Sequence, residues 1–155
     1  MVEPQIITED ALVFLKKLGE SGVPYLIIGM TSAILQGAPT GTKDIDIWFK
    51  SMDNPLLMSI IRECGGVYIP PAIVAMNAPM FGGTLTLFDP VSNPSGLKQF
   101  EDEYGKAETF DFDGIPITLL PLDRVIASKE ASGRLKDKAV LPILRATLEI
   151  KQRQK

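Results

Sequence analysis

The chain has 155 residues, 45% of them hydrophobic and 23% charged, which suits a single globular domain with a real core. Its formal net charge of −3 argues against a general nucleic-acid binder, though not against a small nucleotide that arrives with Mg2+. It contains no histidine and one cysteine, Cys64, which excludes Ser-His-Asp and Cys-His catalysis, His-based zinc sites and any internal disulfide.

The opening, Met1-Val2-Glu3-Pro4, has neither the basic nor the long apolar region of a signal peptide. No window approaches about 18 apolar residues without charge. A cytoplasmic protein with no membrane contact is therefore expected. Thr8 reads as a helix N-cap, with Glu9 and Asp10 in the first turn where the helix dipole favours acids. Ala11, Leu12, Leu15 and Leu18 form a stripe at helical spacing, and Gly19 and Gly22 are expected to end that helix. The apolar run Tyr25 to Ile28 predicts a strand that stops at Gly29. A short helix from Thr31 to Gln36 and a Gly-, Pro- and Thr-rich loop from Gly37 to Lys43 follow.

The next stretch alternates strictly, Asp44 and Asp46 against Ile45 and Ile47. In a strand, residues two apart share a face, so the two carboxylates stand together and repel each other. A hard divalent cation removes that cost, and Mg2+ is held by one or two carboxylates plus substrate phosphates. A glycine at the end of the preceding strand lets the backbone and a helix N-terminus approach an anion such as phosphate.

Asn54-Pro55 predicts an N-cap followed by proline at the first helical position, with Leu56, Leu57, Ile60, Ile61 and Cys64 as the buried face and Gly65-Gly66 as the stop. From Val67 to Met80 two short strands are expected around a turn at Pro70 and Pro71, with Met76 and Met80 in packing roles. Thr84 to Asp89 alternates as a strand would, and Pro90 is expected to end its pairing. Phe100 to Lys106 reads as a short helix. Thr109 to Phe112 and Ile115 to Leu120 read as a hairpin turned at Asp113-Gly114, where Asp111 and Asp113 flank the turn. A helix carrying Leu122, Val125 and Ile126 starts at Pro121 and is expected to run on to Asp137. A final helix, Ala139 to Lys155, carries Leu141, Leu144 and Leu148 on one face, with Pro142 in its first turn or at a kink.

Two of these stretches together resemble the DNA polymerase beta-like nucleotidyltransferase superfamily, and within it the small prokaryotic branch similar to abortive-infection toxin nucleotidyltransferases. The first is the strand, Gly29, short helix and Asp44-Ile45-Asp46. The second is Ser128-Lys129, a stretch of small residues, Arg134, then Lys136-Asp137. The likeness spans Tyr25 to about Leu148, most of the chain. It departs at Met30, where a second Gly or Ser is usual, and at Thr40, where a loop arginine is usual.

The resemblance implies an α/β nucleotidyltransferase fold, a small mixed twisted sheet with helices packed on it, in a single domain over residues 1–155. It implies Mg-dependent transfer of a nucleoside monophosphate from a nucleoside triphosphate to an acceptor, whether RNA, protein or small molecule. Asp44, Asp46 and Asp89 would be catalytic and would hold the metal, Asp89 as the third carboxylate. Gly29, Met30, Ser32 and Lys129 would bind substrate, the lysine against the leaving pyrophosphate. The alternative reading is a catalytically degenerate member that only binds, such as a toxin–antitoxin component, and oligomers are compatible with either.

Overall fold

The computed structural model describes residues 7–71 and 78–154. The first helix, α1 (Glu9–Ser21), starts where Thr8 caps it, the hydroxyl accepting from the Ala11 amide at 3.2 Å. It ends at Gly22 and passes through Gly19 without interruption. Its buried residues are Ala11, Phe14, Leu15 and Leu18, so Phe14 joins the expected stripe and Leu12 lies only at its margin. Strand β1 (Tyr25–Ile27) leads into α2 (Gly29–Leu35) and then β2 (Ile45–Phe49). Asn54 caps α3 (Pro55–Glu63) through its side-chain oxygen, and Leu57, Ile60 and Ile61 are buried there. Leu56 is exposed and Cys64 half-buried, so the buried face of α3 is narrower than the spacing predicts.

Strands β3 (Gly66–Ile69) and β4 (Met80–Gly83) pair antiparallel as a separate two-stranded sheet. The expected turn between them, with Met76, falls largely outside the described residues, and Met80 is exposed rather than packed. The run from Thr84 to Leu87 is a turn, not a strand. Its threonine hydroxyls donate to main-chain carbonyls, Thr84 to Cys64 and Thr86 to Gly83, and so hold the backbone bent. Strand β5 is correspondingly short (Phe88–Pro90) and includes Pro90. The amide of Val91 donates to Ile47, so the proline nitrogen faces away from the ladder on an edge strand, where no hydrogen bond is lost.

After α4 (Phe100–Tyr104) comes the hairpin β6 (Glu108–Phe112) and β7 (Ile115–Leu119), turned at Asp113-Gly114 with positive φ at both positions, as a tight two-residue turn requires. The long helix predicted beyond it is two. Helix α5 (Leu122–Ser132) stops at Gly133, whose φ of 65° breaks the helical path, and α6 (Leu135–Arg153) begins after Arg134. Pro142 therefore lies well inside α6, not in its first turn.

The main sheet has the order β5-β2-β1-β7-β6, with β5–β2 and β1–β7 parallel and the other pairs antiparallel. Alternation along β1 and β2 divides the core. Tyr25, Ile27, Ile45, Ile47 and Phe49 pack with α1 and α3 on one face, while Leu26, Ile28 and Trp48 pack with α2, α5 and α6 on the other. Asp46 shares the second face with Trp48. Among the described residues, no helix is long and apolar enough to cross a membrane.

One buried charge ties the edge of this second face together. The Glu103 side chain is fully buried. It takes two hydrogen bonds from Arg124, at 2.7 and 2.8 Å, and a third from the Lys98 amide. The Arg124 contacts outweigh burial and hold the Glu103 carboxyl below its usual range. Glu103→Gln leaves the guanidinium without its counter-charge and should lower unfolding free energy by about 2 to 4 kcal/mol at pH 7, measured with urea. Because the folded-state pKa lies below the unfolded one, this stabilisation is present above the ordinary glutamate range. It is lost as pH falls through the folded value, so the gap between variant and wild type should close in acid.

Candidate active-site cleft

Strands β2 and β5, the β1–α2 turn, helix α5 and the loop after β5 meet at one cleft. Parallel pairing sets Asp46 of β2 directly beside Asp89 of β5. The β1–α2 turn brings Gly29 over them: its φ is 63°, and a Cβ there would lie 2.6 Å from the Asp46 Oδ2. Only glycine satisfies both the backbone conformation and that approach. The amide of Ile28 donates to the Asp46 carbonyl at 3.0 Å, which fixes the turn against the strand. Helix α5 supplies the opposite wall with Ser128, Lys129 and Ser132, continued by Arg134 and Asp137, and the loop after β5 closes one side with Asn93, Pro94 and Ser95. The enclosed space is about 450 Å3, a volume typical of small-molecule sites.

The electrostatics divide the cleft in two. On the floor, burial and then the neighbouring Asp89 charge push the Asp46 carboxyl up to about 6, against the opposing pull of Lys129. Asp89 is raised as well, by burial and then by Asp44. On the wall, Asp137 is 2% exposed. Burial works against its charge, but hydrogen bonds from Ser132, Arg134 and Lys129 prevail and hold its carboxyl at about 2. Lys129 reaches it at 3.1 Å and Arg134 at 2.7 Å.

The expected site residues are thus only partly assembled. Asp46, Asp89, Gly29 and Lys129 line the cleft. Asp44 is exposed just before β2 and acts on both floor carboxylates through its charge, while its carbonyl accepts from the Thr31 hydroxyl. Met30 and Ser32 lie elsewhere. Met30 packs against the second core, and Ser32 is buried with its hydroxyl donating to the Leu120 carbonyl at 2.6 Å. Asn93, Ser95, Arg134 and Asp137 were absent from the expected set. Arg134 and Asp137 carried a signal in the second signature, and Asn93 and Ser95 belong to the polar loop that follows Asp89 in the sequence.

The donor set bears on whether a metal fits. Among the described residues, no three carboxylate or thiol side chains converge as a ready-made cage. Two adjacent carboxylates with raised pKa values do stand on the floor, and Mg2+ is commonly held by such a pair completed by phosphates and water. The residues therefore fit a divalent cation whose remaining coordination positions are filled by water or an anionic ligand.

No family model matches the chain, and no curated protein is similar to it. Its fold is that of the nucleotidyltransferases, as solved structures show. It is similar to ANT(2")-Ia, solved in complex with adenylyl-2"-tobramycin, with a TM-score of 0.59 over 90% of this chain and 89% of that one, at 14% identity. It is also similar to an antigenic nucleotidyltransferase-like protein from Paracoccidioides brasiliensis, with a TM-score of 0.60 over 91% of this chain and 75% of that one, again at 14% identity.

The raised Asp46 carboxyl makes a stability prediction that needs no ligand. Folding favours its protonated form, so the wild type loses stability as pH rises from about 4 to about 6 and gains none above that. Asp46→Asn removes the penalty. It should stabilise the metal-free protein by about 1 to 3 kcal/mol at pH 7.5 and by almost nothing at pH 4, measured by thermal melts at both pH values. A variant less stable than wild type at pH 7.5 would contradict the assignment of Asp46 as a strained anion.

Proposed function

We propose that the protein is a Mg-dependent nucleotidyltransferase that moves a nucleoside monophosphate from a nucleoside triphosphate to an acceptor hydroxyl. The observation that carries this reading is the pairing of Asp46 with Asp89 on the cleft floor, opposite Lys129 and Arg134 on the wall. The fold likeness supports it, since one of the similar structures holds a nucleotidylated small molecule.

Asp46 and Asp89 would hold the cation, with Asp44 adding charge from the rim. Bound there, Mg2+ would offset triphosphate charge and favour attack at the α-phosphorus. The backbone at Gly29 and the start of α2 would face the phosphates. Lys129 and Arg134 would stabilise the charge that develops on the leaving pyrophosphate. The acceptor oxygen forms its bond to the α-phosphorus as the bond to pyrophosphate breaks. Asp89, whose carboxyl is raised and which sits at the open edge of the sheet, would accept the acceptor's proton.

The test incubates the protein with each labelled nucleoside triphosphate and Mg2+, and with RNA, a protein extract or a panel of hydroxyl-bearing small molecules as acceptors. Label should move to one acceptor class. Asp89→Ala should reduce that transfer on the order of a hundredfold or more while changing triphosphate affinity far less. Undiminished transfer by Asp89→Ala would rule out its role as base. No transfer by the wild type to any class would leave a nucleotide-binding protein without catalysis.

A further inference from the structure

Lys129 faces a choice between two carboxylates. Its side chain is only 14% exposed, so an anionic partner offsets much of the cost of taking its charge from water. It contacts Asp137 at 3.1 Å, and its charge also acts on Asp46. Were it to close on Asp46, a tethered ammonium would occupy the field that the floor carboxylates offer to a cation. Asp137 wins this competition because it is built as a stronger anion. Ser132 and Arg134 converge on its Oδ2 while Lys129 takes its Oδ1, and the corner at Gly133 places all of these donors around one buried carboxylate. Among the described residues, the floor pair has no such set of side-chain donors.

We propose that Asp137 is a positioning residue that holds Lys129 away from Asp46 and Asp89, leaving the floor carboxylates open to a divalent cation while keeping the ammonium in the cleft. This rests on the reading of Asp46 and Asp89 as the cation site. In this proposal Asp137 acts through Lys129, which it contacts at 3.1 Å.

The experiment measures binding of Mn2+ alone, by water-proton relaxation, to wild type, Asp137→Asn, Lys129→Met and the double variant, with a circular-dichroism melt for each. Asp137→Asn should weaken Mn2+ binding about tenfold, as loss of an outer partner does at metal sites, because Lys129 turns to Asp46. Lys129→Met should bind at least as tightly as wild type, since it removes a positive charge that acts on Asp46, and adding it to Asp137→Asn should restore binding. A purely structural role would not give that rescue. Equal Mn2+ affinity in Asp137→Asn and wild type overturns the proposal, as does a double variant that stays as weak as Asp137→Asn.

Should Asp137→Asn fail to melt cooperatively, the double variant decides. Folding and Mn2+ binding by the double variant support the proposal. A double variant that also fails to fold shows that Asp137 serves only the α5–α6 corner through Ser132 and Arg134, and overturns it. A wild type that binds no Mn2+ overturns the cation-site reading itself and this proposal with it, whereas a wild type that binds beside an equally good Asp137→Asn overturns this proposal alone.

Discussion

Parallel pairing of β2 with β5 sets Asp46 beside Asp89 at one level of the sheet, and the local fold offers no way to move them apart. Two carboxylates at neighbouring positions on one face repel, and partial burial deprives them of the water that would screen them. The rest of the second face can be understood as the surroundings of that constraint. Gly29 has no side chain because the Asp46 carboxylate already fills the space a Cβ would need. Lys129 stands near enough to pull the Asp46 carboxyl down but is committed elsewhere. The edge position of β5 leaves Asp89 the better solvated of the pair. A folded protein tolerates such a concentration of charge when stability from elsewhere exceeds its cost, and here the two apolar cores on either side of the sheet supply it.

Much of this frame was legible in the residues. Alternation of Asp44-Ile45-Asp46-Ile47 predicted a strand with acids on one face, and Ile45 and Ile47 are fully buried on the other. Thr8, Asn54-Pro55 and Asp113-Gly114 marked the element ends that the structure has, because capping and turn chemistry act over three or four residues and depend little on tertiary context. The misreadings share a different cause. Thr84 to Leu87 alternates like a strand, but its threonines bond carbonyls that only the folded chain brings near, Cys64 being 20 residues away. Gly133 looked tolerable within one long helix; the pull of Asp137 on Ser132, Lys129 and Arg134 across the break makes two helices the better solution. Ser32 read as a phosphate ligand by position, yet its hydroxyl meets the Leu120 carbonyl 88 residues away. Each of these contacts is long-range or depends on a corner, and no local pattern encodes it.

The two departures from the superfamily pattern also find physical places. Met30 fills the second core beside α5 and does not reach the cleft, so an unbranched apolar side chain there is a packing choice. The space over the floor is kept open by Gly29 alone. Thr40 lies in the loop before β2, where a cation was expected to face the phosphates. The cleft draws its cations from the opposite wall instead, through Lys129 and Arg134. The positive charge of the cleft thus sits on the wall that carries the second signature and not in the loop before β2.

The position of these cations bears on what the cleft can accept. A loop cation would lie on the same side as the floor carboxylates and could neutralise them directly. Cations on the far wall are drawn instead to Asp137, a carboxylate of their own, and the floor keeps its negative charge. An anion entering alone would meet attraction on one side and repulsion on the other. A bare cation would find the floor but no partner for the wall. On the proposed reading, a polyanion carrying a divalent cation would satisfy both surfaces at once, its metal toward Asp46 and Asp89 and its outer charge toward Lys129 and Arg134. Segregated charge of this kind would favour the ion-paired form of a ligand, the form the proposed reaction requires of a nucleoside triphosphate and Mg2+.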